Sequence, residues 1–199
     1  MIMISRYTQH MNHTPQIKKA IQFAARKHHG QMRKERDQLP YITHLFSVAL
    51  LVAEDGASDD VITAALLHDT LEDTDATRGE IVSAFNEHVA TLVESVSEIS
   101  RHDGVRLNWK ARKTRYLARL EKASSDAVLI ATADRIDNIE SMLDAIGNEG
   151  NGFITRFHQP IDDHIWYHGE VLRIAQKRLP THSLTKRLAE VVARENEAF

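Results

Sequence analysis

An apolar run in the first half of the chain ends in four side chains that bind metals or move protons. The run Ala64–Leu67 is followed by His68 and Asp69, and Glu72 and Asp73 come one helical turn later. Burying three carboxylates together is unfavourable unless a cation compensates their charge. The stretch therefore predicts a metal site, although acidic residues after an apolar run often do no more than end a helix.

A metal needs further ligands from elsewhere in the chain, and two suitable residues stand in other apolar segments. His44 begins the preceding apolar segment, and Asp134 lies within the run Val128–Asn138. We expect both to converge on His68 and Asp69. Two imidazoles and two carboxylates suit several divalent metals.

The order His, His-Asp, Asp resembles that of the HD superfamily of metal-dependent phosphohydrolases. Further motifs are similar to those of the hydrolase domain of RelA/SpoT homologues. In chain order they are Gly30–Lys34 (GQxRK), Pro40–His44 (PYxxH), Leu66–Thr74 (LLHDxxEDT) and Ala133–Asn138 (ADRxxN). The resemblance covers about residues 15–147, and the C-terminal helices, about 153–199, match more loosely. It implies a small stand-alone alarmone hydrolase of the animal type, without a synthetase or regulatory region.

The resemblance implies a 3′-pyrophosphohydrolase that converts (p)ppGpp to GDP or GTP and pyrophosphate. It implies manganese as the metal, although zinc, iron or magnesium would also suit the ligands. The implied ligands are His44, His68, Asp69 and Asp134. Glu72 and Asp73 would orient the attacking water and accept its proton.

The resemblance also implies contacts with a small-molecule nucleotide, made by Arg33, Lys34, Tyr41 and Asn138. Arg33 and Lys34 match the family's RK pair, which meets base and phosphates, and they lie in the loop before His44. Asn138 lies one turn after Asp134 and would contact ribose or base. In a second basic run, about 110–119, most side chains are expected in solvent, while one or two reach outer phosphates.

The chain departs from the family pattern where His44-Leu45 replaces His-Pro and where the loop before His44 is longer, which leaves the choice between guanosine and adenosine open. Alternative functions are an HD phosphohydrolase for another 3′-phosphorylated nucleotide (ppApp, NADPH or a pyrophosphorylated tRNA end) or a 5′-nucleotidase. A further alternative is a nucleotide sensor without catalysis. The number of crowded charges argues against the sensor.

The composition indicates one domain, residues 1–199, of ordinary globular size. Eight Gly and four Pro among 199 residues are scattered, and no repeat or linker interrupts the chain. A formal net charge of −3 argues against general nucleic-acid binding, and no apolar run has the length of a membrane span. Since the chain has no Cys, we expect a cytoplasmic protein. Its oligomeric state is open.

These side chains must be positioned by helices, because the hydrophobic pattern is helical almost throughout. Start and stop signals predict helices over about 15–30, 45–53, 59–68, 78–85, 89–99, 109–120, 126–146, 154–179 and 183–197. Thr77 and Glu80 form a predicted capping box, Gly147 is predicted to end its helix, and 101–108 reads as a loop. The fold class is therefore all-α, an HD-type domain of about eight to ten helices.

Overall fold

The computed structural model describes residues 13–33, 39–98, 101–102, 105–150 and 159–199. Within these ranges it contains ten helices: α1 (Pro15–Lys27), α2 (Ile42–Glu54), α3 (Asp59–Leu67), α4 (Thr70–Asp73), α5 (Arg78–Ala84), α6 (Glu87–Val96), α7 (Trp109–Leu120), α8 (Ser125–Glu149), α9 (Ile161–Arg178) and α10 (Ser183–Ala198). The all-α prediction is confirmed. The predicted loop at 101–108 contains a short antiparallel pair, β1 (Arg101–His102) and β2 (Val105–Arg106).

Local signals explain where several helices begin. The Thr14 hydroxyl oxygen accepts a hydrogen bond from the amide of Ile17, and Pro15 is the first residue of α1. The capping box predicted before α5 is confirmed, because Thr77 and Glu80 each accept from the other's backbone amide.

The predicted end of α8 at Gly147 is wrong. The helix continues to Glu149 and is followed by Gly150, whose φ of +66° suits glycine. A glycine inside a helix costs only about 0.5–1 kcal/mol relative to alanine. The buried face of α8 continues to Met142 and Ala145, close to this glycine, and its packing compensates for such a loss.

Two helices form the centre of the core and set the level of the site. Every residue of Val61–Leu67 in α3 is buried, and this helix packs against α1, α2, α6 and α8. The stretch Ala127–Ala133 of α8 is buried as well, with α2, α3, α6, α9 and α10 around it. Since α3 ends at Leu67 and the buried stretch of α8 ends at Ala133, the next residue of each, His68 and Asp134, emerges at the edge of the same core.

Candidate metal centre and adjoining cavity

Two buried imidazoles face each other at the ends of α2 and α3. The Nε2 atoms of His44 and His68 are 3.3 Å apart. The Nδ1 of His68 donates to the carbonyl oxygen of Ala65 at 2.8 Å, and the Nδ1 of His44 is 2.6 Å from Oδ2 of Asp137. With both Nδ1 atoms used in this way, the neutral rings present both Nε2 lone pairs to one point.

Two carboxylates complete this group. Oδ1 of Asp134 lies 3.2 Å from Nε2 of His44 and 3.7 Å from Nε2 of His68. Oδ2 of Asp69 lies 3.0 Å from the same atom of His68 and 3.7 Å from that of His44. One ligand atom each from His44, His68 and Asp134 lies within 4.8 Å of the other two. The structure thus brings together the four side chains that the sequence predicts as ligands.

The protonation of this group follows from its crowding. Burial lowers the pKa of His44, but hydrogen bonds to Asp134 and Asp137 outweigh it, so the pKa lies above the ordinary value. Burial likewise opposes protonation of His68, yet the charge of Asp69 helps to hold its pKa well above that value. Burial raises the pKa of Asp69, whereas the charge of His68 brings it down to about 2. Without a metal, the neighbouring carboxylates therefore favour protonation of both rings.

Asp137 is a supporting residue that the sequence analysis did not single out. Its Oδ2 accepts from Nδ1 of His44 and lies 3.0 Å from Nη1 of Arg33. A carboxylate behind a ligand imidazole fixes the orientation of the ring and raises its basicity. Its position three residues after Asp134, on the same helix face, was the available signal. Arg33, which is predicted to contact substrate, lines the cavity. It also forms the ion pair with Asp137.

Tyr41 and Asn138, the other predicted substrate contacts that the structure describes, lie against ligand carboxylates. The Tyr41 hydroxyl donates to Oδ2 of Asp69 at 2.5 Å. Nδ2 of Asn138 donates to the backbone carbonyl of Asp134 at 3.0 Å and to its Oδ1. Both residues line the cavity described next. Their contact with substrate stays a prediction. Lys34 lies outside the described residues.

Glu72 and Asp73 stand at the rim of the same cavity. Oε2 of Glu72 accepts from the backbone amide of Glu98 at 2.9 Å. Burial raises the pKa of Glu72 to about 7, with a smaller contribution from the charge of Asp69. A carboxyl group with such a pKa can exchange a proton near neutral pH. Its role as the base stays a prediction.

The cluster opens into a cavity of about 440 Å³. We call the side with Tyr41, His68, Asp69 and Asp134 the ligand wall. We call the side with Lys113, Arg135, His164, Tyr167 and His168 the cationic wall; these residues come from α7, α8 and α9. Two residues of the cationic wall fall in sequence patterns: Lys113 belongs to the basic run expected to supply one or two phosphate contacts, and Arg135 belongs to the ADRxxN motif. The other three residues carry no local motif.

The ring of Tyr167 organises the cationic wall. Nζ of Lys113 lies 4.7 Å from the ring centroid and the guanidinium carbon of Arg135 lies 4.6 Å from it. Lys113 also contacts Oε2 of Glu98 at 2.6 Å, and Nη2 of Arg135 contacts Oδ2 of Asp134 at 2.8 Å. Arg135 therefore connects the two walls, and both cations have fixed positions.

The all-α fold thus brings His44, His68 and Asp134 together as a group of candidate metal ligands. The family model described as "HD domain" matches residues 20–153. The chain belongs to the HD-domain family, whose members bind a divalent metal at such a His/Asp group.

Several curated relatives carry names of enzymes that act on guanosine nucleotides. The chain is 39% identical over 143 residues to a guanosine-3′,5′-bis(diphosphate) 3′-pyrophosphohydrolase of Aquifex aeolicus. The match covers 70% of this chain and 19% of that relative, so the chain spans about a fifth of its length. It is 36% identical over 129 residues to the human enzyme of the same name, MESH1, covering 64% of this chain and 69% of that one. A probable GTP diphosphokinase of Arabidopsis thaliana, RSH2, is 40% identical over 130 residues, covering 62% of this chain and 18% of that relative.

Solved structures share the fold. A structure described as a metazoan orthologue of SpoT that hydrolyses ppGpp superposes with a TM-score of 0.76 at 25% identity, covering 93% of this chain and 98% of that one. A Listeria monocytogenes protein superposes with a TM-score of 0.68 at 26% identity, covering 76% and 97%. None of the described helices is long and apolar enough to cross a membrane.

Proposed function

We propose that the protein is a manganese-dependent (p)ppGpp 3′-pyrophosphohydrolase, which converts (p)ppGpp to GDP or GTP and pyrophosphate. The observation that carries the proposal is a cavity whose lining holds both candidate metal ligands and fixed cations. The named activities of the relatives support the choice of substrate. A cytoplasmic location belongs to the proposal, because a chain without Cys suits a reducing compartment.

The donor set fits a divalent metal. The Nε2 atoms of His44 and His68 lie 3.3 Å apart, beside the carboxylates of Asp69 and Asp134. Two nitrogen lone pairs this close need a proton or a cation between them. Mixed imidazole and carboxylate ligands suit manganese among other metals. When bound, the metal would lower the pKa of water and polarise a phosphate oxygen.

The chain's own residues supply the rest of the chemistry. Glu72, whose pKa is about 7, can take the proton of the attacking water, and Asp73 lies next to it on the rim. Tyr41 holds Asp69 through its hydroxyl hydrogen bond, and Asn138 holds Asp134. These contacts keep the ligand carboxylates in place while substrate enters.

The cationic wall would bind the charges of the nucleotide. Lys113 and Arg135 hold positive charge where a substrate with several phosphates would enter, and Arg33 lies on the same cavity. Arg33, Lys34, Tyr41 and Asn138 keep their predicted roles as substrate contacts in this proposal.

Pyrophosphate release from ppGpp, measured with and without Mn²⁺, tests the proposal. We expect release that requires the metal and that Asp69→Ala abolishes. Asp75→Ala is the matched control, because Asp75 is an exposed carboxylate that pairs with Lys27 and does not line the cavity. Metal-dependent release that persists in full in Asp69→Ala would overturn the assignment of the site.

A substrate panel then separates the proposed activity from its alternatives. We expect ppGpp to be preferred over ppApp, NADPH, a pyrophosphorylated tRNA end and nucleoside 5′-monophosphates. Preference for a 5′-monophosphate would indicate a nucleotidase, and binding of ppGpp without turnover would indicate a sensor.

A further inference from the structure

A second buried histidine–carboxylate pair joins the cationic wall to α10. Nδ1 of His168 on α9 is 2.6 Å from Oε1 of Glu195 on α10, and the two side chains are 4% and 0% exposed. Oε2 of Glu195 is buried and has no hydrogen-bond partner among the described residues. A fully buried glutamate is unfavourable unless it serves a specific contact. The proposed chemistry has so far given this pair no role.

His168 presents one ring atom to the cavity. It lines the cavity, and its hydrogen bond within the described residues uses Nδ1. Its Nε2 is therefore the atom that can meet a ligand. His28 shows the contrasting case, because its Nε2 is enclosed by protein and has no partner among the described residues.

The charges around His168 favour an anionic ligand. Arg135 and Lys113 act on the ring from α8 and α7, and both lower the pKa of His168 after the larger effect of burial. Asp134 opposes them, and the ring of His164 lies 6.2 Å away on α9. An imidazole held between the carboxylate of Glu195 and a second anion carries hydrogen on both nitrogens and donates to each.

We propose that His168 donates a hydrogen bond through Nε2 to a phosphate oxygen of the bound nucleotide, and that Glu195 is the positioning residue that fixes the ring for this contact. The identity of the nucleotide rests on the proposed function. The contact itself requires only a phosphate group in the cavity, which can be the 3′-pyrophosphate or the 5′-diphosphate.

Nitrogen-15 spectra of the imidazoles test the contact directly and without turnover. Wild-type protein with Mg²⁺, which does not broaden the signals, is titrated separately with inorganic pyrophosphate and with GDP. We expect a saturable change of the His168 Nε2 resonance with at least one of them. A response to pyrophosphate assigns the contact to the leaving group, and a response to GDP assigns it to the 5′-diphosphate. Unchanged His168 resonances while other cavity signals shift would overturn the proposal.

Kinetics with ppGpp separate ligand contact from helix packing. Loss of a hydrogen bond to a charged group corresponds to about tenfold in affinity, so His168→Ala should raise KM about tenfold with kcat little changed. Glu195→Ala should act in the same direction, and Glu195→Gln, which preserves the shape, should restore most of the affinity. If Glu195→Ala does not fold, the Gln variant and the spectra of wild-type protein still decide the matter.

The matched control is the pair of His182 and Asp55, which has the same 2.6 Å distance between Nδ1 and Oδ2 but does not line the cavity. Asp55→Ala should leave KM unchanged. Loss of thermal stability without a change of KM in His168→Ala would show a purely structural pair. If wild-type protein does not hydrolyse ppGpp, the proposed function fails, while the pyrophosphate titration still tests His168.

Discussion

Two buried histidines, His44 of the metal centre and His168 of the cavity lining, share a geometry and differ in electrostatics. Nδ1 of His44 is 2.6 Å from a carboxylate oxygen of Asp137, and Nδ1 of His168 is 2.6 Å from one of Glu195. Burial lowers the pKa in both cases. Yet the pKa of His44 ends above the ordinary value, whereas that of His168 ends well below it.

The surroundings explain the difference. His44 has Asp134 as a second anionic neighbour, and this carboxylate accepts a hydrogen bond from the protonated ring. His168 lies near Arg135 and Lys113, which repel a proton. The carboxylate hydrogen-bonded to Nδ1 therefore sets the orientation of each ring. The other charges around the ring decide whether it suits a cation or an anion. One side of the cavity suits a cation and the other an anion, as a metal-bound phosphate requires.

The largest effect is expected where the two walls touch, at Asp134. Asp134→Asn removes a ligand charge and the partner of Arg135, whose Nη2 lies 2.8 Å from Oδ2. Because a catalytic metal contributes several kcal/mol to the barrier, kcat for ppGpp should fall on the order of 10³-fold. The metal-free variant should also lose about 3 kcal/mol of stability, since a buried guanidinium loses its counter-charge. Steady-state kinetics and urea unfolding measure the two effects.

A second substitution separates these effects. Adding Arg135→Met to Asp134→Asn removes the uncompensated charge, so stability should recover in part while activity stays lost. If Asp134→Asn alone unfolds no more easily than wild type, Arg135 does not depend on this carboxylate, and the walls are electrostatically separate.

The next effect compares the His44–Asp137 pair with the His168–Glu195 pair. Asp137→Ala should weaken Mn²⁺ binding about 10–100-fold, because carboxylates behind ligand histidines contribute this much to metal affinity. Glu195→Ala should leave the Mn²⁺ dissociation constant within about threefold of wild type, since His168 is not among the residues that converge on the centre. Calorimetric titration of both variants makes the comparison. An equal loss in both would mean that general loosening of the fold, and not ring orientation, controls the metal.

The sequence singled out the residues of the ligand wall and missed most of the cationic wall, for a physical reason. His68 and Asp69 follow an apolar run, and Asp134 lies within another, so each carries its own local signal. The His168–Glu195 contact joins residues 27 apart on two helices, and the His44–Asp137 contact spans 93 residues. Such contacts depend on how helices pack, which local patterns do not specify. That residues 1–199 form a single domain stays a prediction.

A smaller effect concerns pH. The pKa values of His44 and His68 are raised in the metal-free fold, so their contribution to stability is fully present below about pH 6.5 and is lost as pH rises through the folded pKa values. Metal binding needs both rings neutral, so Mn²⁺ affinity should rise with pH. The increase of Tm caused by Mn²⁺ should therefore grow between pH 6 and pH 8. The control variant His168→Ala should show the same trend. An increase of Tm by Mn²⁺ that does not depend on pH would contradict protonation of the ligand histidines.

The smallest effect is expected for the third pair, His182 with Asp55. This pair tests whether a short distance between histidine and carboxylate is enough to give a ring a role in the site. Its Nδ1–Oδ2 separation is again 2.6 Å, but His182 is 40% exposed and neither residue lines the cavity. Asp55 also accepts from the hydroxyl of Ser183 at the start of α10. Since exposed ion pairs contribute at most about 1 kcal/mol, Asp55→Ala should lower the free energy of unfolding by about that amount, with Mn²⁺ affinity and kcat unchanged. A larger loss, or any loss of metal affinity, would show that a short histidine–carboxylate contact is decisive wherever it lies. The expected result would leave the charges around each ring as the reason that His44 belongs to a metal centre and His168 to an anion site.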